Sequence, residues 1–196
     1  MPNKGVEVIE ERLMTMLGKT VSTEFTCSLA HAFDGPYHYL PGENIWEVGE
    51  KDCFVWFIQS GFGFDRILLE DGHKMLNGMS EPGIFICDEK SLLWGGPSVS
   101  DSIVSTPTTA YRVPFREFRE FLSQNEEFRE NLAQINAYFV HMRKLRLLKM
   151  KHMNKADYWV DIKERFPGIE LYCTQTEIAN YFAVSKSTMH RLMRSS

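Results

Sequence analysis

Between Thr174 and Arg194 the chain gathers residues whose types and spacing suit contact with a polyanion. Lys186, Arg191 and Arg194 carry positive charge, and Ser187 and His190 add hydrogen-bonding groups among them. A helix starting near Lys186 turns these five side chains outward and leaves Thr188, Met189 and Leu192 to be buried. Lys and Arg can donate to guanine O6 and N7 in a major groove. Thr174, Gln175 and the amides of a helix N-terminus can hold phosphate oxygens.

The flanking residues supply the elements that must position this set. Thr174 and Glu177 form an S/T-x-x-E capping box, which predicts a helix start. Ile178, Ala179 and Phe182 form its apolar face. Ala183-Val184-Ser185 reads as a tight turn, and Ser185 can cap the second helix. Helices crossing steeply need a small residue at the contact; Ala179 is one, with Val184 as a plug beside it. That is the pattern of a helix-turn-helix. The alternative is a plain helical hairpin with a basic face.

Charge is distributed to match. The chain of 196 residues has a net charge of −4. Residues 141–196 nevertheless hold eleven Lys and Arg against five Asp and Glu, while residues 1–140 hold eleven against twenty-one. A basic tail on an acidic body predicts double-stranded DNA or another polyanion as partner for the tail alone; a solvated helix surface is the other reading.

Upstream, Val6, Ile9, Leu13, Met16 and Leu17 have helical spacing, which predicts a helix over 6–17. From about 20 to 113 short apolar stretches alternate with turn signals such as Asp34-Gly35-Pro36, Pro41-Gly42, Ser60-Gly61 and Pro82-Gly83, which predicts an all-β sandwich or barrel. Asp71-Gly72 is the strongest hairpin signal, with positive φ open to both residues. Phe54-Val55-Trp56-Phe57-Ile58 is too apolar to have a wet face. After Pro114 the pattern is helical. Phe115, Phe118, Phe121 and Leu122 mark one helix. Phe128, Leu132, Ile135, Phe139, Met142 and Leu145 then mark a longer one of about 25 residues with a narrow stripe. That stripe predicts self-association; packing on the chain's own β domain is the alternative. Lys155 to Phe166 predicts a further helix, ended by Pro167-Gly168. The class is α+β, with β strands first and helices after.

Other chemistries lack their residues. The longest apolar run, Cys53 to Ile58, is far too short to cross a bilayer, and acidic residues follow Gly5 where a signal core would lie, so a cytoplasmic protein without membrane contact is expected. Cys27, Cys53, Cys87 and Cys173 are widely spaced, which argues for free buried thiols and against zinc or an iron–sulfur cluster. His31, His38 and His73 read as structural or solvated, so no metal site is expected. A cupin-type enzyme needs clustered ligands such as two histidines one residue apart, and there are none; no enzymatic activity is expected.

The stretch from Thr174 to Arg194 closely resembles the helix-turn-helix of the Crp/Fnr (catabolite activator) family of bacterial regulators. Leu40-Pro41-Gly42-Glu43, Gly49-Glu50, Phe57-Ile58-Gln59-Ser60-Gly61 and Glu70-Asp71-Gly72 resemble the glycine-punctuated β-roll of the cyclic-nucleotide-binding fold. Val113-Pro114 to Phe121 resembles the segment leaving that roll. The resemblance covers nearly the whole chain, in the family's order. It implies a cupin-like jelly-roll sensor over 1–120, a dimerisation helix over 121–152 with Leu132, Ile135, Phe139, Met142 and Leu145 at the seam, and a DNA-binding domain over 153–196. It also implies a homodimer whose recognition helices enter major grooves about 34 Å apart, and RNA polymerase as a further partner. By the same likeness Lys186, Ser187 and Arg191 read bases, and Thr174, Gln175 and Ser185 contact phosphates.

The sequence departs from that pattern at the sensor. Family members that bind cyclic AMP hold its phosphate and ribose with a Gly-Glu pair, a short helix and a later Arg-Ser/Thr. Here Cys87 stands at the glycine, Asp88 at the glutamate, and Ser98 and Val99 at the Arg-Ser/Thr. Without that arginine a buried phosphate lacks its charge partner, so cyclic AMP and cyclic GMP are expected to bind poorly. The expected effector pocket, lined by Phe85, Asp88, Ser98 and Val99, takes another small molecule or none, and no cofactor is expected. Trp46, Trp56 and Trp94 are expected to pack in the core. Ala183 stands where the turn favours glycine, and the chain ends two residues past Arg194 without a wing, so modest DNA affinity is expected. A small-molecule-binding β-roll protein with a degenerate helix-turn-helix is the competing reading.

Overall fold

The computed structural model describes residues 22–51, 53–124 and 126–194, together with Glu7, Glu10, Glu11, Leu13, Met14, Leu17 and Gly18. Among the described residues, eight antiparallel strands form two sheets: β1 (Asp34–Tyr39), β2 (Asn44–Trp46), β3 (Phe54–Ser60), β4 (Gly63–Leu68), β5 (Lys74–Ser80), β6 (Phe85–Ile86), β7 (Ser100–Val104) and β8 (Thr108–Pro114). The strand orders are β1-β8-β3-β6 and β2-β7-β4-β5. Successive strands thus alternate between sheets at several points, the arrangement of a double-sheet jelly roll.

β3 explains why the apolar run 54–58 has no wet face. Its alternation sends Trp56 and Ile58 between the sheets, beside Ile45, Trp46, Ile86, Val104 and Ala110. Val55 and Phe57 point the other way, into a helical layer with Phe33, Tyr111, Val113, Phe115 and Phe118. Just after β3, a Cβ on Gly61 would fall 2.1 Å from Thr108 Oγ1, so β3 and β8 could not close up around any other residue.

Two expectations about the β region need correction. Thr23–Ala32 is a helix, α1, within the stretch expected to be β from residue 20. Ala30 and the following Phe33 bury against Phe115 and Phe118, so tertiary packing decides a segment of mixed propensity. The β4–β5 connection is also longer than a two-residue turn, running from Leu69 to His73, with Leu68 paired to Lys74. Only Gly72 has positive φ, at 82°, while Asp71 Oδ1 accepts from the His73 amide at 3.0 Å. Of the helix expected over 6–17, Glu7, Glu10, Glu11, Leu13, Met14 and Leu17 are helical and Leu13 is fully buried; the other positions lie outside the described residues.

Among the described residues, seven further helices follow in order: α2 (Glu89–Trp94), α3 (Phe115–Gln124), α4 (Glu126–His152), α5 (Lys155–Arg165), α6 (Ile169–Tyr172), α7 (Gln175–Tyr181) and α8 (Lys186–Arg194). α4 has 27 residues, and it packs along the roll. Tyr138 and Phe139 join the cluster of Phe115 and Phe118, and Met150 joins the core of the last four helices. Phe139 therefore faces its own chain, Met142 is half-buried and Leu145 is exposed, while the side chains of Leu132 and Ile135 lie outside the described residues. No described helix is long and apolar enough to cross a membrane.

The last four helices do not form a separate core. Tyr158, Trp159, Ile162, Phe166, Ile178, Phe182 and Met189 bury together with Phe64 and Leu76 from β4 and β5. Arg165 adds a two-pronged ion pair to Glu81, at 2.9 and 2.7 Å. Arg146 on α4 donates to the Tyr181 hydroxyl at 3.0 Å and lies 4.5 Å over its ring. Roll, long helix and C-terminal helices are thereby packed against one another.

Candidate nucleic-acid interface and interior groove

The C-terminal pair α7–α8 is built as the residue pattern anticipates. Thr174 Oγ1 accepts from the Glu177 amide at 3.2 Å, and the Thr174 amide donates to Glu177 Oε2 at 2.7 Å, a complete capping box. Ile178, Ala179 and Phe182 are buried. Ala183 takes φ 51°, the left-handed conformation that closes the turn, and the Val184 amide donates back to the Ala179 carbonyl at 3.0 Å. Val184 packs half-buried against the helical core. Ser185 Oγ then accepts from the Thr188 amide at 3.1 Å and caps α8.

Met189 anchors α8 with no exposed surface, and Leu192 and Met193 pack beside it. Lys186, Ser187, His190, Arg191 and Arg194 are all exposed, as are Thr174 and Ser185. Gln175 is half-buried, and its Nε2 donates to the Lys186 carbonyl at 3.2 Å. This bond lays the start of α7 beside the start of α8, so the eight residues singled out from sequence share one edge of the C-terminal unit. Three cationic side chains line that edge, and no acidic residue occurs within α8.

The expected sensor site is gathered only in part. Asp88 caps α2, its Oδ1 accepting from the Ser91 amide at 2.8 Å. Its Oδ2 accepts from the Ser98 hydroxyl at 2.9 Å, the Val99 amide at 2.9 Å, the Ser100 amide at 3.0 Å and the Ser100 hydroxyl at 2.6 Å. Burial opposes the Asp88 charge. The Ser100 hydroxyl, the Ser91 amide and the Ser98 hydroxyl together outweigh it and hold the carboxyl below its ordinary value. Phe85 is not part of this group. It pairs with Phe57 across β3 and β6, and its ring lies 5.1 Å from that of Phe57 and 5.8 Å from that of Phe33, in the helical layer. Strand alternation sends Ile86 inward instead, so Phe85 must face away from Asp88. Trp46 and Trp56 are buried as expected, but Trp94 is 77% exposed at the end of α2.

Next to Asp88 opens a groove of about 290 Å³, lined by Ile67, Asn77, Glu89, Lys90, Val99, Ser100 and Arg143. Arg143 crosses from α4 to Glu89 at 3.2 Å. Sequence reasoning missed Asp65 behind this groove. Asp65 pairs with Ser102, and Ile67 with Ser100, as successive same-face partners on β4 and β7. Asp65 Oδ1 is enclosed and has no hydrogen-bond partner; the Ser102 hydroxyl lies beside it outside hydrogen-bonding geometry. Burial pushes the Asp65 carboxyl up to about 6; the Ser102 hydroxyl pulls the other way, and the charges of Glu89 and Asp101 add to the rise. The signal was present, since Asp65 sits two residues before Ile67 in an alternating strand.

The remaining chemistry-bearing residues stay apart. His31 contacts the Cys27 carbonyl, His38 the Thr109 hydroxyl and His73 the Asp71 carboxylate. None of the four cysteines forms a disulfide; Cys173 is buried, whereas Cys27, Cys53 and Cys87, expected to be buried, are only half-buried, and burial pushes the thiols of Cys87 and Cys173 up to about 12. Among the described residues no group of three or more His, Cys, Asp or Glu is placed to hold a metal.

Solved structures that share this fold include a catabolite activator protein, a global regulator and a cyclic nucleotide-binding domain. The catabolite activator protein of Thermus thermophilus matches with a TM-score of 0.54 and 18% identity, over 92% of this chain and 85% of that one. The c-di-GMP-responsive global regulator CLP of Xanthomonas campestris matches at 0.59 and 10%, over 89% and 91%. A cyclic nucleotide-binding domain from Methylobacillus flagellatus matches at 0.61 and 16%, over 76% and 83%. No family model and no curated protein sequence matches the chain.

Proposed function

We propose that the protein is a sequence-specific DNA-binding transcription regulator of the Crp/Fnr type, cytoplasmic and without enzymatic activity. The observation that carries this is α8: anchored by Met189, preceded by a tight left-handed turn, and exposing Lys186, Ser187, His190, Arg191 and Arg194 on one edge. An anchored helix with an exposed basic face is what a major groove accepts. On this reading the α7–α8 pair is a helix-turn-helix. Lys186, Ser187 and Arg191 reach base edges, and Thr174, Gln175 and Ser185 contact phosphates. The shared fold with a catabolite activator protein and a global regulator supports the same class.

The protein acts as a homodimer through α4. Phe139 packs against its own chain, whereas Leu145 of the stripe read in the sequence stays 39% exposed; the seam in this reading runs along the neighbouring line. Val140 and Leu147 are 51% and 58% exposed, and with Ala137 and Lys144 they step by 3, 4 and 3 along the helix. That spacing suits a second copy of the same helix. RNA polymerase as a partner follows from the class of protein alone.

The groove beside Asp88 is the effector site of this reading, and cyclic AMP does not suit it. Asp88 already takes the amides and hydroxyls of residues 91 and 98–100. A phosphate there would meet Asp88 and Glu89 with Arg143 already paired, at a desolvation cost nothing offsets.

Selection from random duplex DNA, without added nucleotide, tests the function. A two-fold-symmetric site enriched by the protein and lost in Arg191→Ala supports the dimeric regulator. No enrichment by either protein, even at low salt, leaves the α7–α8 pair a structural hairpin on a small-molecule-binding roll.

A further inference from the structure

We propose that the groove between α2, α4 and the β4–β7 face binds a small organic cation, a primary ammonium on a short apolar body, with Asp65 as its counter-charge. This deepens the reading of that groove as an effector site; it is tested by direct binding, so it stands or falls apart from DNA recognition.

Most inward-facing donors of this groove are already committed. The amides of Ser91, Val99 and Ser100 and the hydroxyls of Ser98 and Ser100 all converge on Asp88. The Arg143 guanidinium is engaged by Glu89. Lys90 remains at the rim, exposed to water. An incoming anion would find only Lys90 at the rim and Asn77 as donors, and would face the carboxylates of Asp88 and Glu89 with Asp65 behind them.

What is left free is an acceptor. Asp65 Oδ1 is enclosed without a hydrogen-bond partner, behind the groove wall and two residues before the groove-lining Ile67 on the same face, with the Arg66–Asp101 pair between them. Opposite it, β5 carries Gly78, where even a Cβ would stand 3.2 Å from Asp65 Oδ2. The bare glycine leaves that side of the carboxylate open, and Asn77 beside it lines the groove. An enclosed carboxylate without a donor is costly, and an ammonium supplies both donor and charge. Ile67 and Val99 offer apolar walls for a short alkyl chain. The volume, about 290 Å³, is enough for a molecule of this size.

Calorimetric titration with pentylamine, pentanol and pentanoate, one skeleton with three head groups, decides the matter at pH 7.5. Pentylamine is expected to bind at one site per chain, and pentanol and pentanoate at least tenfold more weakly. Asp65→Asn is expected to lower pentylamine affinity at least tenfold with an unchanged near-ultraviolet spectrum. Arg143→Ala, an exposed change that frees Glu89, is expected to raise the affinity severalfold and serves if Asp65→Asn fails to fold. The proposal is overturned if pentylamine does not bind, if pentanoate binds equally well, if a folded Asp65→Asn binds pentylamine unchanged, or, where that variant does not fold, if Arg143→Ala leaves the affinity unchanged.

Discussion

Ser100 donates twice to the same oxygen of Asp88, from its amide at 3.0 Å and from its hydroxyl at 2.6 Å. The other Asp88 oxygen caps α2 through the Ser91 amide, so one carboxylate ties the start of a helix to the start of β7. Asp88→Ala removes the cap and strands several buried donors at once. It should cost about 3 kcal/mol of stability, read by urea unfolding at pH 7. The Asp88 carboxyl is held below its ordinary value, so its contribution is present above the unfolded-state pKa and declines as pH falls toward the folded-state one. The gap between wild type and variant should therefore narrow on acidification; a gap independent of pH would show that the carboxylate charge plays no part.

Asp65 works in the opposite direction. Burial raises its carboxyl to about 6, so the folded state holds this proton more tightly than the unfolded chain. Its favourable contribution is complete below the unfolded pKa of about 4 and is lost as pH rises through about 6. Asp65→Asn should be more stable than wild type at pH 7.5, by up to about 3 kcal/mol, and equal to it near pH 4. Thermal unfolding at the two pH values checks this, and a variant less stable at both would refute it.

Ala183 holds φ at 51° in the turn between α7 and α8. An L-residue with a Cβ is strained there and glycine is not, so Ala183→Gly should gain about 1 kcal/mol. Thermal melting reads the gain. A melting temperature lowered by the change would mean that chain entropy outweighs relief of the turn.

Leu147 lies exposed on α4, seven residues after Val140. If α4 pairs with a second copy along this line, Leu147→Glu sets like charges against each other at the seam and should convert dimer to monomer in sedimentation. Phe139→Glu should instead unfold the roll, because Phe139 packs on the cluster of Phe115 and Phe118. A dimer that survives Leu147→Glu places the interface elsewhere.

The C-terminal unit was legible nearly residue by residue. Its capping box, small contact residue, left-handed turn and exposed basic edge all rest on interactions within four residues or on a single helical period, which sequence carries directly. The roll was legible as a class, since recurring Gly, Pro and Asp signals mark turns whatever the strands pair with. α1 was not, because Ala30 and Phe33 take their place from Phe115 and Phe118, more than eighty positions away.

Local sequence thus determined the fold class, the order of elements apart from α1, and the exposed candidate residues along the edge of α7 and α8. Only the tertiary structure decided which face of each element is taken. It turned Phe85 away from Asp88 because β6 has room for one inward side chain, and that is Ile86. It left Trp94 outside, packed Phe139 half-buried against the chain's own core, and left Val140, Leu145, Leu147 and Leu148 of α4 exposed. It also enclosed Asp65 behind the groove. Such choices depend on which strand or helix lies opposite, and a period of two or of 3.6 residues states that a face exists without stating what covers it.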